Sequence, residues 1–274
     1  MSRLTGAGRA VLEAFAAGEA PPRQMIDALN HICGECQKRG MTVIVDAESQ
    51  KFQKAIDKVT LDLMRRFNRD GTAVVYNTYQ AYLKSTTDNV VKHLSAANEE
   101  GFTLGLKLVR GAYLLTEDRS LIHDTKQDTD NAYNSIAQGA LKQHIGELGS
   151  SETKPFPSVK LLLCGHNKES IFAALRLHQS RVEEGLPTVD VTFAQSHGMA
   201  DAVSFELLQQ KGSDGAAAVA PAVLKCSTWG TLGECLAYLL RRAVENKSAV
   251  MRTGDEHRAL KGECWRRMRR VIVG

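Results

Sequence analysis

The chain has few residues of the kinds that mark disulfide-bonded or membrane-spanning proteins. Its 274 residues include six cysteines and six prolines, and only 6% are aromatic. Six cysteines in a chain of this length do not make a disulfide framework and are typical of a reducing compartment. No apolar run approaches the ~20 residues that a membrane helix needs, and the N-terminus does not resemble a targeting segment. The net charge of +4 does not suggest a nucleic-acid partner.

Two residue patterns could indicate redox or metal chemistry, but each lacks the further residues that such a site needs. Cys33 and Cys36 have the spacing of a redox motif, yet no second pair accompanies them, so we predict ordinary helix residues. The histidines lack metal-ligand spacing, and we predict that they are structural and that no metal is bound. The histidines in question are His123, His144, His178 and His257.

Apolar, β-branched runs alternate with helical patterns along the whole chain. The predicted strands are 41–45, 72–79, 101–109, 159–164, 189–193 and 216–224, with a strand stub at Arg3-Leu4. The predicted helices are 10–17, 23–39, 52–67, 80–100, 130–148, 168–184, 200–211, the stretch 236–246 and 255–270. This alternation predicts an α/β protein with a parallel sheet covered by helices. No linker or repeat divides the chain, so we predict a single domain over residues 1–274.

Each predicted strand ends in polar residues, which favours a barrel over an open sheet. The carboxyl ends of parallel strands form the active-site face of α/β folds. Six ends that all carry functional groups suit the mouth of a (βα)8 barrel better than the crevice of a doubly wound sheet. These groups are Asp46 and Glu48, Gln80, Arg110 with Tyr113, His166 with Asn167, Gln195 with His197, and Lys225.

The segment Leu236–Asn246 carries the most specific pattern. Its leucines recur at helical spacing, and Tyr238, Arg241, Arg242 and Glu245 share the opposite face. Adjacent arginines beside a tyrosine make a suitable clamp for a carboxylate, because each guanidinium presents forked donors and stays charged. The alternative is a solvated face on which Arg241 and Glu245 form an ion pair.

The stretch 106–113 is the next most specific. Lys107 and Arg110 flank an apolar pair at a strand end, and Gly111-Ala112 lets a flat ligand approach the backbone. Two cations at such a place would stabilise an anionic ligand. The alternative is a strand end with a surface lysine.

Taken together, these motifs resemble the proline dehydrogenase family, and their residues are most like those of its eukaryotic, fungal members. The match runs in the family's order from Asp46 to Asn246. It implies a (βα)8 barrel with the arginine-pair helix over its mouth. The implied catalytic or substrate residues are Arg241, Arg242, Tyr238, Tyr113, Asp46 and Arg3. The implied FAD-binding residues are Lys107, Val109, Arg110, Gly111, Ala112, Gln80, Ala47, His166, Asn167 and Glu245.

The resemblance also implies a reaction and a setting. L-Proline is oxidised to 1-pyrroline-5-carboxylate, and the electrons pass to a quinone at the matrix side of the mitochondrial inner membrane. Peripheral membrane association is therefore an expectation. The arginines near the C-terminus could meet anionic lipid, although a solvated helix face is the simpler reading of Arg266, Arg267, Arg269 and Arg270.

The sequence departs from the family pattern at three places. The family's first strand and helix have no counterpart, and Arg3 stands where the second strand carries a substrate lysine, so we hypothesise a truncated gene product. Cys226 replaces a tyrosine that packs against the proline ring, which could admit hydroxyproline. Ser196 replaces an apolar residue that shapes the pocket.

Two other functions remain open from the sequence. A Schiff-base barrel aldolase would use Lys107 or Lys225 as its strand-end amine. An inactive barrel remnant would only bind partners. The aldolase would be trapped by borohydride with a carbonyl substrate, and neither protein would hold a flavin.

Overall fold

A computed structural model describes residues 3–210, 221–245 and 253–273 of the chain. The described residues form one sheet of six parallel strands in the order β1 to β6, which curls into a half-barrel. The strands are β1 (Val43–Val45), β2 (Val75–Gln80), β3 (Leu104–Val109), β4 (Val159–Cys164), β5 (Asp190–Ser196) and β6 (Ala222–Cys226). This arrangement confirms the predicted α/β barrel class, with helices between successive strands.

Nine α-helices are present in the described part of the chain. They are α1 (Arg9–Ala16), α2 (Arg23–Lys38), α3 (Gln50–Phe67), α4 (Thr86–Glu100), α5 (Lys126–Lys142), α6 (Lys168–Glu183), α7 (Asp201–Gln209), α8 (Leu232–Glu245) and α9 (Thr253–Val273). No described helix has both the length and the apolar composition to cross a membrane.

Side chains alternate between the two faces of the sheet. On β3, Leu104, Leu106 and Leu108 are fully buried in the layer between the sheet and the helices. The intervening Lys107 points to the concave face, where it reaches Asp46 beyond β1. The main core therefore lies outside the sheet, and the concave face is left for polar residues.

Three of the wrongly predicted helix boundaries have identifiable physical reasons. The helix predicted from Gln80 begins only at Thr86, because Gln80 is the last residue of β2 and its carbonyl accepts the Thr86 hydroxyl. The helix predicted from Asp130 begins at Lys126, where Thr125 and Asp128 form a capping box. It stops at Lys142, since Gln143 adopts a left-handed conformation.

The other differences concern strand starts and the N-terminus. The predicted stub at Arg3-Leu4 is not a strand: Leu4–Ala7 forms a short 3₁₀ helix, and Glu48 accepts the Thr5 amide and hydroxyl. The first three strands begin two or three residues later than predicted, and β5 extends to Ser196. The predicted β6 began at residue 216, and 216–220 lie outside the described residues.

Candidate functional site

An ion pair lies at the centre of the concave face. Lys107 on β3 donates to Asp46, which follows β1, with 2.7 Å between Nζ and Oδ1. The side chains are 6% and 24% exposed. Lysine is rarely buried to this extent without a partner, so the pair fixes a positive and a negative charge at the carboxyl ends of the strands.

Two thiols share this electrostatic environment. Burial raises the pKa of Cys164 at the end of β4 to about 11, while Lys107 lowers it and Cys226 and Asp46 raise it. These four groups are therefore close enough to influence one another. The Cys164 thiol therefore stays protonated at neutral pH, and it lines the site as an uncharged group rather than as a nucleophile.

Helix α8 places Tyr238 at the same end of the half-barrel. Burial raises the pKa of the half-buried Tyr238, and the adjoining Cys226 and more distant Asp46 raise it further. The guanidinium carbon of Arg242 lies 5.3 Å from the Tyr238 ring centroid. The side chains of Arg241 and Glu245 lie outside the described part of the structure. Thus α8 brings Tyr238 near the Lys107–Asp46 pair, and Arg242 lies against the Tyr238 ring.

Arg110, directly after β3, is fixed by several contacts. Its Nε donates to Asp130 at 2.6 Å, and one Nη donates to Ser170 at 2.9 Å. Its guanidinium also lies 4.3 Å from the Tyr133 ring centroid. The other nitrogen, Nη1, is buried without a hydrogen-bond partner among the described residues, and a Cβ at Gly165 would come within 3.2 Å of it. Arg110 therefore presents a rigid, unused donor beside a glycine.

The hydrogen bond from Arg110 also affects the ionisation of Asp130. Burial raises the pKa of Asp130, but hydrogen bonds from Lys126 and Arg110 outweigh that effect and leave the pKa below its usual value. The carboxylate is therefore ionised at neutral pH and holds Arg110 in place.

The turn after β3 depends on a glycine. Gly111 has a φ of +145°, and a Cβ there would meet the Tyr82 ring at 2.2 Å. The next amide, of Ala112, donates to Gln80 Oε1 at 3.2 Å. Gln80 Nε2 in turn donates to the Glu48 carbonyl at 3.3 Å. Gln80 thus joins the ends of β1 and β3 in addition to lying at the mouth.

The predicted substrate residues Arg3 and Tyr113 meet at the edge of the mouth. The Arg3 guanidinium carbon lies 5.7 Å from the Tyr113 ring centroid. The following loop is held down by Glu117, which accepts the Gln50 amide at the start of α3 at 2.9 Å. Arg3 and Tyr113 are thereby brought together although they are distant in sequence.

The predicted motif after β4 has two structural contacts. The Ser196 amide donates to His166 Nε2 at 3.1 Å, which joins the ends of β4 and β5 and fixes the His166 tautomer. Asn167 caps α6 by accepting the Ser170 amide at 3.1 Å. The remaining predicted flavin residues, Ala47 and Val109, lie at the ends of β1 and β3.

Several other residues singled out in the sequence lie away from the mouth. Lys225 points outward from β6, where it donates to the Met199 carbonyl at 3.1 Å and to Asp201 at 2.6 Å. The strand-end amine of an aldolase would have to face the concave side, so Lys225 is unsuited to that role. Gln195 also faces outward and accepts the Ser204 hydroxyl at 2.8 Å.

The predictions about cysteines and metals can be compared with the described residues. Cys33 and Cys36 lie in α2 and are free, and burial raises the pKa of Cys33 to about 11. The prediction that the two cysteines lie in a helix is therefore confirmed. Within the described ranges no cluster of histidine, cysteine or acidic residues could hold a metal ion.

Sequence reasoning missed the residues that support the site from behind. Asp130 and Ser170 hold Arg110, and a buried cluster around Asp57 contacts the first strand ends. Only Cys164 carried a usable signal, because it ends a predicted strand just before the predicted pair His166 and Asn167 and alternates with Leu162. The others are ordinary helix residues in the sequence.

Comparisons with known proteins agree on one family. The model of the family described as proline dehydrogenase matches residues 5–254. A probable mitochondrial proline dehydrogenase of Schizosaccharomyces pombe is 34% identical over 235 residues, which are 82% of this chain and 46% of that protein. Human mitochondrial proline dehydrogenase 1 is 34% identical over 249 residues, with coverage of 90% and 39%. The chain thus spans less than half the length of these relatives.

Two further similarities concern substrate and fold. A human hydroxyproline dehydrogenase is 30% identical over 257 residues, which are 90% of this chain and 52% of that protein. Proline utilization A of Bdellovibrio bacteriovorus aligns with a TM-score of 0.70 at 18% identity, over 89% of this chain and 24% of that one. The structural match supports the barrel fold.

Proposed function

This chain belongs to the proline dehydrogenase family, and from that premise we propose that it oxidises L-proline to 1-pyrroline-5-carboxylate with FAD and passes the electrons to a quinone. One observation carries the proposal: α8 brings Tyr238, with Arg242 against its ring, to the strand ends that hold the Lys107–Asp46 pair. A pocket with anchored charges and an arginine beside a tyrosine suits a small amino acid.

The described residues fit a flavin nucleotide. Arg110 Nη1 is a buried donor with no hydrogen-bond partner in the described part of the chain, and Gly165, where a Cβ would come within 3.2 Å of it, places no side chain against it. We propose that FAD is held by Lys107, Val109, Arg110, Gly111, Ala112, Gln80, Ala47, His166, Asn167 and Glu245. Held by these residues, FAD would supply a hydride acceptor for the carbon next to the proline nitrogen.

The protein residues then bind and orient the substrate. Arg241 and Arg242 would clamp the proline carboxylate, since guanidinium groups make paired contacts with carboxylates. The raised pKa keeps Tyr238 protonated, so its hydroxyl would remain a neutral hydrogen-bond donor beside the proline ring. We assign Tyr113, Asp46 and Arg3 to the rest of the substrate pocket, where orientation of the reacting carbon supplies much of the rate.

A visible absorption spectrum tests this proposal. We expect the chain to bind FAD and the flavin bands to bleach when L-proline is added without oxygen. Arg242→Lys should retain FAD but raise KM for proline by roughly ten- to a hundredfold, because lysine cannot replace a forked contact. Arg269→Lys on the exposed face of α9 is the matched control.

Other outcomes distinguish the alternatives. Flavin bands that persist with proline would contradict the assigned substrate. A colourless protein that borohydride traps with a carbonyl substrate would indicate the aldolase at Lys107, and a colourless, untrapped protein would indicate the inactive barrel.

A hydroxyproline preference is the second candidate. Cys226 adjoins Tyr238 and is smaller than the tyrosine expected there from the family pattern, and the similarity to a hydroxyproline dehydrogenase points the same way. The extra space would accommodate a ring hydroxyl. A higher kcat/KM for hydroxyproline than for proline would support it, and Cys226→Tyr should reverse the preference.

The proposed setting is the mitochondrion, where the relatives are named as residing. We propose that the chain is a single domain that includes all six strands. We also propose that it associates peripherally, through α9, with the matrix side of the inner membrane. On α9, Arg266 and Arg267 pair with Glu263, while Trp265 is 62% exposed. Co-sedimentation with anionic but not neutral vesicles would support this, and equal binding to both would contradict it.

A further inference from the structure

Asp57 on α3 is a buried carboxylate that lies behind the proposed site. It is 7% exposed and is held by three side-chain amides. Gln53 Nε2 and Asn77 Nδ2 donate to Oδ1 at 2.8 and 2.9 Å, and Asn89 Nδ2 donates to Oδ2 at 3.1 Å. An ionised carboxylate only accepts hydrogen bonds. Each of these amides must therefore turn its NH2 group toward Asp57.

This requirement is passed on through a continuous chain of hydrogen bonds. Because Gln53 donates to Asp57, its Oε1 faces the other way and accepts the Glu48 amide at 2.8 Å. The Glu48 carbonyl accepts Gln80 Nε2 at 3.3 Å. Gln80 Oε1 is then left to accept the Ala112 amide at 3.2 Å. Each hydrogen bond in the series donates toward Asp57, and the series ends at the Asp57 carboxylate, which only accepts.

We propose that Asp57 is a positioning residue that, through Gln53 and Gln80, fixes the two loops on either side of the Lys107–Asp46 pair. The loop after β1 is fixed at both the amide and the carbonyl of Glu48, and the turn after β3 is fixed at its Ala112 amide. Only the statement that these loops serve a flavin and proline rests on the proposed function.

Burial and a tolerated defect support this role. Gln53, Glu48 and Gln80 are 6%, 5% and 3% exposed, so water competes poorly for their hydrogen bonds. Asn77 Oδ1 is buried without a partner among the described residues. A buried acceptor of this kind is costly, and it shows that the contact to Asp57 governs the orientation of that amide.

Amide hydrogen exchange of the chain, without cofactor or substrate, tests the proposal. An asparagine side chain at position 57 can donate as well as accept, so Asp57→Asn removes the bias that orients Gln53. We expect exchange to accelerate roughly tenfold in the segments 46–50 and 110–114, which is the effect of weakening one buried hydrogen bond. Unchanged exchange at 110–114 would overturn the proposal.

A swap of the two groups supplies the rescue. In the double variant that combines Gln53→Glu with Asp57→Asn, the acceptor-only carboxylate moves one link along the chain with the same net charge. The carboxylate introduced at position 53 can accept from the amide introduced at position 57 and from the Glu48 amide, so the direction at Glu48 is restored. We expect exchange within about threefold of the original chain. Failure of the swap to restore it would show that direction is not what matters.

Thr60→Val is the matched control on the same helix. Thr60 is fully buried and donates to the Ile56 carbonyl at 2.7 Å, but it has no hydrogen bond to the strand ends among the residues that the structure describes. It should lower stability without accelerating exchange at 46–50 or 110–114; equal acceleration in both variants would reduce Asp57 to a stabilising residue. Asp57→Asn should also raise the Kd for FAD about tenfold. Because exchange is measured without cofactor, it can fail independently of the proposed oxidation.

Discussion

The Lys107–Asp46 ion pair allows a quantitative prediction about stability. The two side chains differ in exposure, 6% for Lys107 and 24% for Asp46, so the two single variants should lower the free energy of unfolding by different amounts. Asp46→Asn removes the carboxylate that pairs with a buried ammonium and should cost about 3 kcal/mol, at the lower end of the range for breaking a buried pair. Lys107→Met leaves a carboxylate that water partly reaches, and methionine fills the volume of the lysine stem, so about 1 kcal/mol is expected.

Urea unfolding followed by circular dichroism measures this difference. For a chain of this size, about 3 kcal/mol corresponds to a loss of roughly 6–12 °C in Tm. The double variant should be more stable than the sum of the single effects predicts, with a coupling free energy of at least about 1 kcal/mol. The exposed pair Lys84–Asp124, at 3.3 Å, is the control; Asp124→Asn should change stability by less than about 0.5 kcal/mol.

The reasoning depends on the asymmetry between the two single variants. If Lys107→Met destabilises the chain more than Asp46→Asn, the ammonium is not the group that requires its partner. If the single effects add within about 0.3 kcal/mol, the two charges do not interact measurably. Either result would refute the ion pair as the fixed centre of the concave face.

Three other predictions follow from contacts at or near the site. Arg110→Lys keeps the charge but loses the forked geometry, so the Kd for FAD in a binding titration should rise at least tenfold; an unchanged Kd would remove Arg110 from the cofactor site. Gly111→Ala places a Cβ 2.2 Å from the Tyr82 ring at a φ of +145°, and should cost about 2 kcal/mol or more in urea unfolding. Burial lowers the pKa of His93 and His178 from 6.5, so the unfolded chain takes up protons first and stability should fall as the pH drops below 6.5. Replacing both histidines with glutamine should flatten that fall, and a full fall in the variant would contradict the assignment.

The places of the strands along the chain were predictable because largely apolar runs alternate with helical patterns. The bounds of β4 were predicted correctly, since Ser158 and Gly165 flank a run in which Lys160 is the one charged residue. The end of β2 was not, because residues 81–85 contain neither glycine nor proline and read as the first turn of a helix. Tertiary hydrogen bonds from Gln80 and Thr86 make the turn, and a local pattern does not contain them.

The site was predictable as a set of strand ends, but the direction of each side chain was not. Lys107 and Lys225 both stand at the end of a strand, yet one faces Asp46 across the concave side and the other faces α7. Strand parity decides this, and parity depends on a register that only the assembled sheet provides. The same holds for Gln80, whose two amide ends contact backbone groups of neighbouring strands.

The arginine-pair helix α8 shows that a periodic pattern does not reveal which face of a helix meets the protein. Its leucines form one stripe, and a stripe of that kind normally faces a core. Here Leu232, Leu236 and Leu240 are 77%, 50% and 66% exposed, while Tyr238 on the opposite face is half-buried beside Cys226. A helix that lines a ligand site turns its polar face inward, because the ligand supplies contacts that a core would otherwise supply. The inverted orientation of α8 is thus a departure from local rules of the kind found at functional sites.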